Sequence, residues 1–283
     1  MSRTIPVRVL LAAAVCLPCL TGCFKVTTVL KVHPEGNGTL VETMGLSKEA
    51  LKQLEAIFSG VAEGMGADAK PTGGFLCEDS FKSKAGSYGP GVKLLGIKKT
   101  EDGDWVQTVA TYAAKDVNRI RLSENSQPDM PGQDKEKKEE ETPYLFKLRK
   151  LPEGLAELTI TVPQPKPAPA AANDEPAKEN APGAEQPDQQ VPPEMLKMFK
   201  DLEITVAVEC GKEIVETNAT YAEGNRVTLA HCAFAKLLEN QDKLKELAKL
   251  GPAAQDLEAL KPLLKGIEGF QFELEPQVVI KFR

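Results

Sequence analysis

The amino-terminal segment constrains this chain most, because it has the composition of a secretory signal. Arg3 and Arg8 give the segment a positive start, and residues 9–20 form an apolar core. Small residues stand just before Cys23. A helix that spans a membrane needs about 20 apolar residues, so this core is too short. We expect residues 1–22 to be a signal peptide that is removed; an uncleaved anchor or a buried helix is the alternative.

The end of this segment carries a more specific pattern. Leu20-Thr21-Gly22-Cys23 resembles the lipobox of bacterial lipoproteins, in which an aliphatic residue and two small residues precede a cysteine. The resemblance implies cleavage between Gly22 and Cys23, diacylglycerol on the Cys23 sulfur, and acylation of the new amino terminus by a fatty acid such as palmitate. Two or more acyl chains together hold a protein stably on a membrane. Because Phe24 and not aspartate follows, the resemblance also implies the outer membrane where an organism has one.

The mature chain is acidic, which limits its partners. Residues 1–22 contain two arginines and no acidic residue, so their removal leaves 33 basic and 41 acidic side chains. An exported acidic protein is a poor binder of nucleic acid. The expected partners are therefore membrane lipid, through acylated Cys23, and an unidentified envelope protein or amphiphile.

The cysteines divide into two groups. Cys16 and Cys19 lie within the predicted signal peptide and Cys23 takes the lipid. Three cysteines remain: Cys77, Cys210 and Cys232. Outside the cytoplasm disulfides persist, so two of these three can form one bridge and leave one thiol. All three can equally be buried and reduced.

Runs of β-branched residues predict that the fold is built on antiparallel sheet. Residues 24–32 and 39–44 flank a cluster of turn formers and predict a hairpin that begins directly after Cys23. A second hairpin is predicted over 92–112, with its turn at Asp102-Gly103. Further strands are predicted at 75–81, 144–149, 155–162, 202–209, 213–221, 226–230 and 270–282.

Helical periodicity predicts one long N-terminal helix and a helical C-terminal section, which makes the fold class α+β. Ser47 has the side chain of an N-cap for a helix over 47–65, and leucines recur at helical spacing over 237–264. The three strands that follow position 202 are predicted to form a meander. We also expect the strands on either side of the proline-rich segment to be neighbours, and the last strand to join the sheet that holds the first.

Two segments lack the apolar residues that a core requires. Residues 124–142 carry a run of mixed charge and predict a disordered loop. Residues 163–193 contain nine prolines and predict a disordered linker or insert. Residues 23–162 and 194–283 then form one α+β domain, or two subdomains.

A second resemblance involves the later part of the chain and the first hairpin. Residues 211–219, with the sequence GKEIVETNA, residues 227–229, and residues 36–39 are similar to those of uncharacterised bacterial lipoproteins. They are also distantly similar to the mycobacterial LppM-type envelope domain, in which a Gly-x-Val-x-x-x-Asn pattern precedes a strand. This resemblance implies no catalytic residues.

The sequence offers few groups for catalysis. It contains no phosphate-loop, dinucleotide-binding, nucleophile-elbow or S-x-x-K motif. Only His33 and His231 could serve as an imidazole base or ligand. His231, Cys232 and Cys210 would make an incomplete zinc site. We therefore predict no metal, no cofactor and no catalytic residue.

Carboxylates are numerous enough to keep a pair of catalytic acids as an alternative. Five of them alternate with apolar neighbours, which is typical of the solvated face of a half-buried sheet: Glu157, Glu203, Glu209, Glu213 and Glu216. The expected function is that of a non-catalytic, lipid-anchored envelope protein that binds a partner protein or an amphiphile. A carboxylate-dependent envelope hydrolase and a structural envelope protein are the alternatives.

Overall fold

Two β-sheets make up most of the protein. The computed structural model describes residues 24–52, 78–123, 143–163, 201–240 and 266–283. Strands account for 56% of these residues and helices for 15%. The fold is therefore dominated by sheet.

The strands are numbered in chain order. They are β1 (Phe24–Val32), β2 (Gly38–Ser47), β3 (Lys93–Asp102), β4 (Trp105–Ala114), β5 (Arg121–Leu122), β6 (Tyr144–Lys150), β7 (Ala156–Thr161), β8 (Glu203–Cys210), β9 (Ile214–Thr217), β10 (Ala222–Glu223), β11 (Arg226–Ala233), β12 (Phe270–Phe272) and β13 (Gln277–Phe282). The helices are α1 (Glu78–Ala85) and α2 (Phe234–Glu239), with 3-10 turns at Val117–Arg119 and Pro152–Gly154.

β1 lies in the middle of the larger sheet. Within the described residues this sheet has eight strands in the order β10-β11-β8-β1-β2-β4-β3, with β12 paired to β11. β1 pairs antiparallel with β2 along its whole length and parallel with β8, where Lys25 lies opposite Glu203. The hairpin predicted directly after Cys23 is confirmed, and so is the β3–β4 hairpin. The β1–β8 pair makes the sheet mixed, whereas an antiparallel sheet was predicted.

The smaller sheet has the order β5-β6-β7-β13-β9. Side chains from both sheets join one hydrophobic core, in which Leu30 and Tyr112 come from the larger sheet and Ile160 and Phe282 from the smaller one. The core thus combines residues that precede and follow the proline-rich segment.

Three predictions about strand neighbours were wrong. β7 lies in the smaller sheet and β8 in the larger one, so the strands that flank the proline-rich segment are not neighbours. The last strand, β13, pairs with β7 and β9 and not in the sheet of β1. β9 pairs with β13 in the smaller sheet, whereas β8 and β11 lie in the larger one, so the predicted meander does not form. A local pattern shows that a segment is extended and does not show which strand it pairs with.

The α+β class with a long N-terminal helix was also wrong, since helices in the described part of the chain are short. Residues 48–52 are helical, and the Ala50 N–H donates a hydrogen bond to the Ser47 hydroxyl at 3.1 Å, as an N-cap requires. The rest of the predicted helix, 53–65, lies outside the described residues, as does 241–265 in the C-terminal section.

The strand predicted at 75–81 was wrong where it is described, because Glu78–Ala85 is α1. Acidic residues in its first turn and lysines in its last turn complement the helix dipole. Phe81 and Ala85, four residues apart, place one face in the core. No helix among the described residues is long and apolar enough to cross a membrane.

Several predicted segments lie outside the described residues. These are the signal peptide 1–22, the charged loop 124–142 and the proline-rich residues 164–193, together with Cys23 and Cys77. Their assignments, and the division into domains, stay predictions.

The loop after α1 connects the two sheets. The Tyr88 carbonyl accepts a hydrogen bond at 3.0 Å from the N–H of Arg121, the first residue of β5. Gly89 has a φ of 125°, and a Cβ there would lie 2.1 Å from the Arg119 carbonyl oxygen. Only glycine therefore fits this close approach.

We expect Gly89→Ala to lower the free energy of unfolding by about 3 kcal/mol, because the new methyl group must displace backbone in addition to the cost of positive φ. Gly91→Ala is the matched control, since Gly91 has a φ of 85° but open space around its Cβ direction. It should lose about 1 kcal/mol. Urea unfolding followed by circular dichroism measures both, and equal losses would contradict the packing explanation.

Candidate functional site

A cleft opens on the outer face of the larger sheet, at the end where β1 begins. Its volume is about 270 Å³. β1, β2, β8 and the β3–β4 hairpin line it, with Lys25, Thr27, Thr43, Gly45, Asp102, Trp105, Gln107 and Glu203. Residues from distant parts of the sequence thus meet at one end of the sheet.

The alternation of side chains along β1 explains why these residues face outward. Leu30 and Val32 are fully buried, so Lys25 and Thr27, at the opposite parity, project from the other face. The register places Lys25 beside Gly45 of β2 and Thr27 beside Thr43. The cleft is therefore a consequence of strand register.

Trp105 and Lys25 form one wall of the cleft. The Lys25 ammonium nitrogen lies 5.2 Å from the centroid of the Trp105 ring and 3.3 Å from a carboxylate oxygen of Glu203. The Trp105 ring lies beside Gly45, where an added Cβ would be 3.5 Å from Trp105 Cε3, an ordinary contact distance. The Lys25 and Glu203 side chains are 49% and 38% exposed, so solvent reaches this ion pair.

The cleft favours positive charge. Its lining carries one cation, Lys25, against the carboxylates of Asp102 and Glu203. The β3–β4 turn adds Asp104, while Glu101 is paired with Lys48 at 2.9 Å. A ligand that brings its own cationic group would be attracted to this end of the sheet.

A second set of ionisable groups is buried between α1 and the larger sheet. Glu42 of β2 is completely buried and forms an ion pair with Lys84 of α1. The Tyr88 hydroxyl donates a hydrogen bond to Glu42 Oε2 at 2.9 Å, and the Tyr112 hydroxyl lies 3.5 Å from the same oxygen. These protein partners satisfy the carboxylate, so the cluster fixes α1 on the sheet.

Sequence reasoning missed Glu42, although a signal was available. Glu42 has the same parity on β2 as Leu40 and Met44, both of which are buried. A carboxylate at a core-facing position requires a cation or hydrogen-bond donors beside it. The partner could not be named because Lys84 lies beyond the strand predicted at 75–81, in a helix that the sequence analysis did not predict.

The structure separates the residues considered for a zinc site. Cys232 lies opposite Ile204 of β8. Ile204 is six residues before Cys210 on this strand, which separates Cys232 from Cys210 by about 20 Å. Cys210 therefore cannot reach His231 and Cys232, nor form a disulfide with Cys232. Among the described residues no group of three or more His, Cys, Asp or Glu side chains could hold a metal. A bridge to Cys77 stays a prediction.

The remaining candidates have local partners. His231 Nδ1 lies 2.9 Å from the Thr205 hydroxyl, on the outer face of the larger sheet. His33 lies in the β1–β2 turn, where its N–H donates to the Asn37 carbonyl at 3.0 Å. Burial raises the pKa of the Cys210 thiol to about 12, so this thiol is a poor nucleophile.

Four of the five strand carboxylates form ion pairs with cations on neighbouring strands. The pairs are Lys25–Glu203 and Lys31–Glu209, both at 3.3 Å, and Arg149–Glu157 and Lys281–Glu216, both at 2.7 Å. Hydrogen bonding by Arg149 lowers the pKa of Glu157 despite the opposing effect of burial. Glu213 is exposed. Glu157 is buried, whereas the other four carboxylates are at least partly exposed, so the predicted solvated face is present at four of the five positions.

We expect Lys84→Met to lower the free energy of unfolding by about 3–5 kcal/mol, because Glu42 would be left as a buried charge without its cation. Adding Glu42→Leu should restore much of the loss. Lys82→Met on the same helix removes only exposed pairs with Glu78 and Asp79 and should leave the urea midpoint nearly unchanged. A double variant as unstable as Lys84→Met would refute this account.

Stability should also fall at alkaline pH. Burial and the nearby Glu42 carboxylate raise the pKa of Tyr88 and of Tyr112. Tyrosines of the unfolded chain ionise near pH 10, so above this pH the unfolded state releases protons that the folded state keeps, and stability declines as pH rises. Urea titrations between about pH 8 and 11 should show a shallower decline for Tyr112→Phe than for the unchanged protein; parallel curves would contradict the prediction.

Comparison with known proteins does not establish a family. No protein-family model and no curated protein matches the chain. Among solved structures, the chain is similar to the folded domain of LppM from Mycobacterium tuberculosis, determined by NMR. The TM-score is 0.29 and the sequence identity 10%, over 74% of this chain and 81% of that one. This likeness is too weak to assign a function.

Proposed function

We propose that this protein is a lipoprotein of the bacterial cell envelope, held at a membrane by diacylglycerol on Cys23, and that it acts by binding. The start of β1 carries this proposal. The strand begins at Phe24, which follows Cys23 directly, and consecutive Cα atoms are about 3.8 Å apart. A lipid on Cys23 would therefore hold the end of the central strand at the bilayer surface, without a spacer.

The position of β1 also gives the protein an orientation. Because β1 is hydrogen-bonded to β2 on one side and β8 on the other, it cannot lengthen into a tether without breaking the sheet. The β3–β4 turn lies near the start of β1, because β2 pairs with β1 on one side and with β4 on the other. This end, with its cleft, would face the lipid headgroups, and the His33 turn at the other end of β1 would face away.

The described side chains support binding over hydrolysis. A catalytic acid or base must exchange protons with a substrate, but Glu42 is enclosed and the three paired strand carboxylates outside the cleft are held by cations. The Cys210 thiol is buried. The cleft beside Trp105, in contrast, combines an aromatic ring with exposed polar groups, as small-ligand sites do.

Cys23→Ser should move the protein out of the membrane fraction, because serine cannot form the thioether to diacylglycerol. Cys19→Ser changes a cysteine four residues earlier, inside the predicted signal peptide, and should leave fractionation unchanged. Membrane fractionation and the mass of the amino-terminal peptide measure the outcome. Retention of the Cys23→Ser protein in membranes, or a mature chain that starts at Met1, would overturn the proposal.

A further inference from the structure

We propose that the cleft binds the headgroup of a zwitterionic phospholipid of the phosphoethanolamine class, with the ligand ammonium between Trp105 and Glu203. The inference rests on the proposed function, which places the cleft at the depth of the headgroups. The binding chemistry itself depends only on the residues of the cleft.

The side chain of Lys25 shows where an ammonium group fits. Its nitrogen is 3.3 Å from Glu203 and 5.2 Å from the Trp105 ring centroid, and such a carboxylate and aromatic face are the two groups that recognise alkylammonium ligands. Lys25 is half exposed and carried on a flexible stem. It can therefore move aside and give its place to a ligand ammonium.

The displaced Lys25 would then bind the ligand phosphate. In phosphoethanolamine the ammonium and the phosphate are joined by two carbons, so a ligand held by Glu203 keeps its phosphate within reach of Lys25. The hydroxyls of Thr27 and Thr43 and the amide of Gln107 line the same cleft and supply donors for the phosphate oxygens. The exchange replaces one ion pair by two.

The charge and size of the cleft select against other headgroups. Asp102 and Glu203 outnumber Lys25, so an anionic headgroup without an ammonium would be repelled. The volume of about 270 Å³ is below the usual range of about 300–1,000 Å³ for drug-sized ligands. A headgroup is therefore a better match than a larger molecule or an entire lipid.

Trp105 provides the measurement, because it is the chain's single tryptophan. The mature lipidated protein is reconstituted into vesicles of phosphatidylglycerol alone or with increasing phosphatidylethanolamine, and Trp105 emission is recorded. We expect an emission change that saturates with phosphatidylethanolamine. Soluble phosphoethanolamine is added to the phosphatidylglycerol vesicles in a second titration and should give the same emission change. The concentrations at half-saturation then show whether the cleft binds the lipid or the free headgroup more tightly.

Two matched pairs of variants test the residues. Glu203→Gln should weaken binding about fivefold, as expected for a partly exposed ion pair. Glu209→Gln should have no effect, although Glu209 pairs with Lys31 on the same two strands at the same distance and also with Arg226. Lys25→Met should tighten binding of ethanolamine, which lacks phosphate, because the competing side chain is gone; Lys31→Met should not.

The outcomes test the lipid anchor and the headgroup site separately. Vesicle flotation reports the lipid anchor independently of emission. Protein that floats while Trp105 responds to neither form of the headgroup overturns the site and leaves the anchor intact. Protein that fails to float overturns the anchor, and the titration with soluble phosphoethanolamine still decides the site. Equal effects of Glu203→Gln and Glu209→Gln would overturn the assignment of Glu203.

Discussion

The parallel pairing of β1 with β8 is the interaction on which the rest of the structure depends. Parallel strands need a crossover connection, and here every element from β2 to β7 lies between the two strands in sequence. The smaller sheet is therefore largely built from the crossover, completed by β9 and β13, which come later in the chain. β1 gains its second neighbour only when β8 joins the sheet. The strand nearest the proposed lipid therefore completes its pairing late in folding. Sequence-distant contacts of this kind close slowly because of their entropy cost.

The two ends of β1 differ in a way that suits one of them to binding. At the far end the Gly211 N–H donates to the Val32 carbonyl at 2.8 Å, and Asn225 exchanges backbone and side-chain hydrogen bonds with Cys210. These hydrogen bonds connect β1, β8 and the turn before β11 at that end. At the near end, Lys25–Glu203 has the same distance as Lys31–Glu209, but Glu209 is also paired with Arg226. The surroundings differ as well, because Lys25 has an aromatic ring and a cleft beside it and Lys31 does not line that cleft.

Local chemistry was predictable from the sequence and long-range register was not. The Asp102-Gly103 turn, the Ser47 cap and the β1–β2 hairpin depend on residues a few positions apart, and the sequence shows them directly. Trp105 and Lys25 meet only because β4, β2 and β1 align at one register, which no local pattern contains. The start of α1 was mistaken for part of a strand because three consecutive apolar residues, 75–77, precede it, while its helical face consists of only Phe81 and Ala85. The partner of β9 depends on how two sheets share a core, a property of the whole chain.

Glu42 shows how a buried charge can position parts that apolar packing leaves less defined. The hydrophobic effect is not directional, whereas a carboxylate that pairs with Lys84 and accepts from Tyr88 fixes both distance and angle. Glu42 thus orients α1 and the loop that follows it, and Gly89 in this loop packs directly against the backbone of Arg119. From there the Tyr88 carbonyl reaches the first residue of β5. A continuous series of directional contacts therefore runs from β2, next to the central strand, to the edge of the smaller sheet. If β1 is fixed at a membrane, the orientation of the smaller sheet is fixed with it.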